Sequence, residues 1–244
     1  MATIHPVPTR LPSLLRPPIA FAHRGARAHA PENTVEAFSL GLRLGATGLE
    51  SDVWLTADGV AVLDHDGQIG RRPRRRAIQR VDRADLPPSI PTLAELYDTC
   101  GTGFELSLDI KDRAAASAVM AAAAAAGPEA LERLWICHPD LELLADWRRE
   151  WPDVHLVHST PLARIDGGPE RHAAALAAIG IDAMNLHHTE WTGGFIALFH
   201  RFERLAFAWD AQFDRVIADV LDAGIDAVYS DHVDVLTAAV DRVA

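Results

Sequence analysis

Seven side chains in the first half of the chain are of the kinds that handle phosphate groups and protons. His23 and Arg24 interrupt an apolar run, Ile19 to Ala22, and Gly25 follows them. Glu50 and Asp52 stand one residue apart, as do Asp109 and Lys111, and His65 lies between the two pairs. Side chains alternate along a strand, so Glu50 and Asp52 share one face while Leu49, Ser51 and Val53 share the other. The same rule sets Glu105, Ser107, Asp109 and Lys111 opposite Leu106, Leu108 and Ile110. Carboxylates gathered on an inward face are costly unless something cationic compensates them. One divalent cation with hard oxygen ligands, Mg²⁺ or Ca²⁺, would serve Glu50, Asp52 and Asp109 together. A salt-bridge network built on Arg24 and Lys111 would serve them without a metal. His23 and His65, beside such a cluster, have the chemistry of a base and an acid for phosphoryl transfer.

These residues need a scaffold that brings them to one place. Apolar stretches at 19–23, 48–54, 104–110, 132–137, 154–158, 182–186, 205–209 and 226–230 read as strands. Helical stretches fall near 34–45, 92–100, 113–126, 140–150, 170–180, 194–202, 212–223 and 232–243. Asn33 stands where the first helix needs a cap, with Glu36 three residues on. Eight strands, each followed by a helix, have the size and rhythm of a (β/α)₈ TIM barrel, whose chemistry lies at the carboxyl ends of the strands. Residues 1–18, rich in proline, read as a lead, and 19–244 as one catalytic domain. A short hairpin after strand two breaks the rhythm, because Asp58-Gly59 is a tight-turn signal. Pairing position 60 with 55 would return His65 to the rim beside Glu50.

Bulk composition narrows the function classes. Lys and Arg number 23 against 34 Asp and Glu, a net charge of −11. Such a field repels nucleic acid and anionic membranes, so neither is an expected partner. An anionic substrate must then be held by local cations. Two cysteines, Cys100 and Cys137, argue against a disulfide framework and fit the cytoplasm. No stretch approaches the ~20 apolar residues of a membrane span, so stable anchoring is not expected. The arginine-rich run from Arg71 to Arg76 reads as a solvated loop. His187, His188 and His138 fall at strand ends, where a histidine is more often a hydrogen-bonded wall residue than a catalyst.

In combination these motifs resemble the glycerophosphodiester phosphodiesterase family. His23-Arg24-Gly25 followed by Pro31-Glu32-Asn33-Thr34 matches its opening block in order and spacing. Glu50 to Val53, Thr56 to Gly59 and Val62 to Asp66 match its second block. Asp109-Ile110-Lys111 lies where the family usually has Glu-x-Lys, Trp209 resembles its strand-seven tryptophan, and Gly224 to Asp231 resembles its last strand. The resemblance implies a TIM barrel of the phosphatidylinositol phospholipase C-like kind with one divalent cation. By that likeness Glu50, Asp52 and Asp109 are metal ligands, and Arg24, Lys111 and Trp209 bind substrate. His23 and His65 exchange protons, in roles the sequence leaves interchangeable. The implied reaction converts a soluble, small-molecule glycerophosphodiester to glycerol 3-phosphate and an alcohol. A lysophospholipase D and a catalytically silent barrel that binds phosphorylated ligands are the competing readings. Trp191 and Phe195 are candidates to line the alcohol side of the pocket.

Overall fold

The computed structural model describes residues 10–71 and 73–243. The residues before Arg10, including Pro6 and Pro8 of the lead, lie outside this range, as does Arg72 of the arginine run. Among the described residues eleven strands run in chain order. They are β1 (Ile19–Ala22), β2 (Gly48–Leu55), β3 (Ala61–Leu63), β4 (Gln68–Ile69), β5 (Arg76–Ala77), β6 (Glu105–Ile110), β7 (Leu134–His138), β8 (His155–Ser159), β9 (Ala183–His187), β10 (Leu205–Trp209) and β11 (Ala227–Ser230). Eight of them, all but β3, β4 and β5, pair parallel, and β1 bonds both β2 and β11, which closes a (β/α)₈ barrel. The helices are α1 (Val35–Arg43), α2 (Leu93–Cys100), α3 (Ala115–Ala126), α4 (Pro128–Glu132), α5 (Leu141–Glu150), α6 (Pro169–Ile179), α7 (Gly193–Arg201), α8 (Asp214–Asp222) and α9 (Val233–Asp241).

Alternation divides the apolar residues into two cores. Phe21, Trp135, Cys137, Val157, Ala183, Phe207, Ala227 and Tyr229 fill the barrel interior. Leu49, Val53, Leu106, Leu108, Ile110, Ile136, Leu156 and Leu186 pack outward against the helices. Phe21 stacks on Tyr229 with ring centroids 4.6 Å apart and lies 6.0 Å from Phe207, forming the floor below the mouth. Gly48 makes room for it, since a Cβ there would stand 2.5 Å from the Phe21 ring.

Two local features differ from expectation. The cap of α1 is Thr34, whose hydroxyl accepts from the Ala37 N–H at 3.2 Å. Asn33 instead adopts φ +54° and turns its amide inward, accepting from Ser51 Oγ at 2.7 Å. A reciprocal capping box forms at Thr92 and Glu95 of α2. The β2–β3 hairpin pairs Val53 with Leu63 and Leu55 with Ala61, a register one residue away from the expected one. The Thr56 N–H donates to Val60 O, so Val60 belongs to the turn rather than to the strand. The ladder ends at Val53 and Leu63, with Asp64 N donating to Asp52 O, so His65 lies beyond the paired register.

The lead is tied to the amino-terminal end of the barrel by a buried carboxylate. Asp226 Oδ1 accepts from Ser13 Oγ at 2.7 Å, Leu14 N at 2.7 Å and Leu15 N at 3.2 Å. Its Oδ2 accepts from Ala206 N and His200 Nε2, each at 2.7 Å. Among the described residues no helix is long and apolar enough to cross a membrane.

Candidate active site

Residue parity carries the chemistry from the floor to the mouth. Ile19, Phe21 and then His23 point inward from β1, and Tyr229 and then Asp231 do so from β11. The barrel closure makes those two strands neighbours, and His23 Nδ1 lies 2.6 Å from Asp231 Oδ1. Because a carboxylate only accepts, the ring's proton is on Nδ1, and Nε2 faces Glu50 Oε2 at 3.8 Å. Burial works most strongly against a charged His23. Glu50 and the Asp231 hydrogen bond outweigh it, so His23 titrates above its ordinary range. The same bond holds Asp231 below the usual carboxylate range against the opposing effect of burial.

Arg24 follows in a left-handed conformation, φ +50°, which costs an ordinary residue of order 1–3 kcal/mol. Its backbone is fixed on both sides: its N–H donates to Glu50 Oε2 at 2.9 Å and its carbonyl accepts from Asn33 N at 3.0 Å. Gly25, at φ +77°, completes the turn where a Cβ would lie 2.6 Å from the α1 backbone. The Arg24 guanidinium reaches Glu32 at 3.2 Å and stands 3.4 Å from Asp52, yet its buried Nε has no hydrogen-bond partner.

The β2–β6 register sets Asp52 directly beside Asp109. Lys111 Nζ bridges them, 2.6 Å from Asp109 and 3.1 Å from Asp52. Burial opposes its charge, but the two carboxylates win and hold the ammonium well above the ordinary lysine range. Asp52 therefore meets two cations and Asp109 one. Among the described residues Glu50 meets only His23 and a backbone N–H. Burial, with help from Asp52 and Asp109 and against the attraction of His23, pushes the Glu50 carboxyl up to about 7. The salt-bridge network is thus present, and it leaves one of three clustered carboxylates uncompensated. Carboxylate oxygens are the hard donors that Mg²⁺ and Ca²⁺ take, and in this arrangement Lys111 Nζ stands between two of the three.

These groups line a cavity of about 420 Å³ at the barrel mouth, together with Arg27, Ser107, Cys137, Ser159, Asn185, Trp209 and Asp210. That is small-molecule size. Burial pushes the Cys137 thiol up, so it is no thiolate nucleophile. Asn185 lines the wall but is buried, and its Oδ1 has no partner among the described residues. Trp209 is 42% exposed and meets His187 edge-on, with centroids 4.7 Å apart.

The structure brings His23, Arg24, Glu50, Asp52, Asp109, Lys111 and Trp209 to one cavity wall. His65 lies just beyond it. Asp64 N bonds Asp52 O at 3.1 Å, and His65 follows on the rim, 39% exposed, with Nδ1 2.9 Å from Asp66. Trp191 and Phe195 do not line this cavity. Trp191 is buried in the outer core, donates to Phe207 O at 2.7 Å and meets Phe199 edge-on, while Phe195 packs against that core. The described arginines of the 71–76 run are exposed on the turn between β4 and β5. Asp231 and Asn185 were missed by sequence reasoning, although strand parity alone points both inward.

A model of the glycerophosphoryl diester phosphodiesterase family matches residues 23–235 of the chain. A glycerophosphodiester phosphodiesterase of Caldanaerobacter subterraneus is 32% identical over 109 residues, 38% of this chain and 45% of that protein. Human glycerophosphodiester phosphodiesterase 1 is 34% identical over 113 residues, 39% of this chain and 34% of its own. The matched stretches thus span less than half the length of these curated relatives. Among solved structures, the Thermotoga maritima glycerophosphodiester phosphodiesterase superposes with a TM-score of 0.77 at 24% identity, covering 90% of this chain and 97% of that one. An Oleispira antarctica phosphodiesterase in complex with the product sn-glycerol-3-phosphate gives 0.80 at 22% identity, covering 92% and 97%. At such identities the likeness is one of fold.

Proposed function

The chain belongs to the glycerophosphoryl diester phosphodiesterase family, and on that premise we propose that it hydrolyses glycerophosphodiesters to glycerol 3-phosphate and an alcohol. The observation that carries the reading is the convergence in one cavity of an Asp231-oriented histidine, three carboxylates and two fixed cations. Glu50, Asp52 and Asp109 would hold a divalent cation, which would draw charge from the phosphate oxygens, ordinarily the largest catalytic contribution. Arg24 and Lys111 hold the phosphate by its remaining oxygens. Arg27, whose Nη1 lies 3.2 Å from Asp231, adds positive charge at the mouth.

His23 is the base. With Nδ1–H committed to Asp231, its Nε2 takes a proton from the attacking water, or from the glycerol 2-hydroxyl in a route through a cyclic phosphodiester. His65, on the rim, gives a proton to the departing alkoxide. The P–O bond to the alcohol breaks as the new P–O bond forms, so one water is consumed per diester. Trp209 lines the side where the alcohol leaves.

A second substrate class is favoured by one observation. Phe213 is 73% exposed, four residues beyond the half-exposed Trp209. Two exposed aromatics at the end of β10 and before α8 suit an apolar chain, as in a lysophospholipid. A panel of glycerophosphocholine, glycerophosphoethanolamine and lysophosphatidylcholine, assayed with metal added and withheld, separates these readings. We expect glycerol 3-phosphate from the first two, lost with chelator and restored by Mg²⁺ or Ca²⁺. Binding of glycerol 3-phosphate without turnover of any diester would instead mark a silent barrel. Full activity in chelator would remove the metal.

A further inference from the structure

A second group of ligating side chains stands on the same rim, outside the catalytic cavity. His29 comes from the loop between β1 and α1, His232 from the start of α9, and Asp234 from that helix's first turn. Each offers one ligand atom, and these three atoms lie within 4.8 Å of one another. His29 Nε2 is 3.0 Å from Asp234 Oδ1. Their backbones are fixed independently of any ligand: His29 N donates to Ala26 O at 2.8 Å, His232 N to Ser230 Oγ at 3.2 Å, and Ala28 N joins the two loops through Asp231 O at 3.2 Å.

We propose that His29, His232 and Asp234 form a second metal site, for a borderline transition ion such as Zn²⁺ rather than for Mg²⁺ or Ca²⁺. Imidazole nitrogen suits zinc, cobalt and nickel, whereas the hard alkaline-earth ions prefer oxygen throughout. Atoms no farther apart than 4.8 Å leave a common centre within about 2.8 Å of each, against roughly 2.0–2.2 Å for a zinc bond. The remaining fraction of an ångström is within reach of side-chain rotation, since His29 and Asp234 are 37% and 53% exposed. Three protein ligands leave a further position open to water or an anion at the mouth. Occupancy would tie the His23 loop to the start of α9.

The site is independent of the reaction proposed above, and so is its test. Protein held in excess Mg²⁺ is titrated with Zn²⁺, and bound metal is counted after equilibrium dialysis. The wild type should retain one Zn²⁺ that Mg²⁺ does not displace. His29→Gln and His232→Gln should each weaken that uptake at least tenfold, while Glu50→Gln leaves it intact. Metal-free thermal midpoints of the variants should match the wild type, because both histidines lie at the surface. Cobalt(II) gives a second readout, a visible band that disappears in His232→Gln. Zinc uptake unchanged in both histidine variants, or absent from the wild type in excess Mg²⁺, would overturn the proposal.

Discussion

His23 enters the cavity with one nitrogen committed and the other free, and Asp231 sets which is which. Replacing that carboxylate by an amide lets the ring be held in either tautomer, because an amide donates as well as accepts. Asp231→Asn is therefore expected to lower kcat by about 10²–10⁴-fold with little change in KM. A variant whose KM rises while kcat holds would assign Asp231 to substrate binding instead. His65 is set apart from His23 by its place on the rim, which suits a group that meets only the leaving alcohol. His65→Ala should slow alkyl diesters far more than p-nitrophenyl diesters, whose leaving group needs little protonation, while His23→Ala should disable both. Equal losses on the two substrates in His65→Ala would strip it of that role. Parity along the strands places His23, Glu50, Asp52, Asp109, Lys111 and Trp209 at the mouth, whereas Arg24 reaches it through the left-handed turn after β1. The role of Asp231 was not legible in the sequence, because it appears only when β1 closes against β11. Asn33 was misread as a cap because its type suits both that position and the left-handed turn it occupies.

At the scale of elements, the strand and helix order was written in hydrophobic periodicity, and each barrel strand lies within two residues of its expected bounds. The hairpin was legible from Asp58-Gly59, but its register was not. Thr56 Oγ1 also accepts from Val60 N at 2.9 Å and donates to Asp58 at 2.6 Å, and that local network adds a residue to the loop. In a hairpin one residue of slip reverses the face presented, so His65 sits where the turn chemistry puts it. Helix α4 was missed because Gly127-Pro128 reads as a stop, while Pro128 is equally suited to a first helical position. Asp226 was likewise illegible as a clamp, since its partners are two hundred residues away in Ser13, Leu14 and Leu15. Removing that carboxylate orphans buried backbone donors and the His200 ring together, each loss being worth about 1–3 kcal/mol. Asp226→Ala should cost about 3–5 kcal/mol in urea unfolding, and Asp226→Asn less because one acceptor oxygen remains. A loss under about 1 kcal/mol in Asp226→Ala would mean that the lead contributes little to closing the barrel.

The whole molecule carries −11 yet gathers Arg24, Arg27 and Lys111 at its mouth, so attraction for an anion is local rather than global. A pair of buried histidines that bears on its acid stability lies elsewhere, on the outer face of the barrel. His158 of β8 and His172 of α6 are both buried, with His158 Nδ1 3.0 Å from His172 Nε2 and His158 Nε2 3.0 Å from Pro139 O. The carbonyl can only accept, so His158 donates to it from Nε2; in the neutral pair His172 Nε2 then donates to His158 Nδ1. Burial, with the neighbouring His158, lowers His172 from 6.5 to about 4. The folded protein thus binds fewer protons than the unfolded chain between those values, and stability rises with pH across that window. It is fully present above pH 6.5 and is lost as the pH falls toward 4. At pH 5 the loss from this residue alone is about 2 kcal/mol. His172→Gln keeps a side-chain donor toward His158 without a titrating ring. Its unfolding free energy should start lower at pH 7.5 and fall less steeply toward pH 5 than that of the wild type. Parallel curves for the two proteins would show that His172 does not govern the acid limb.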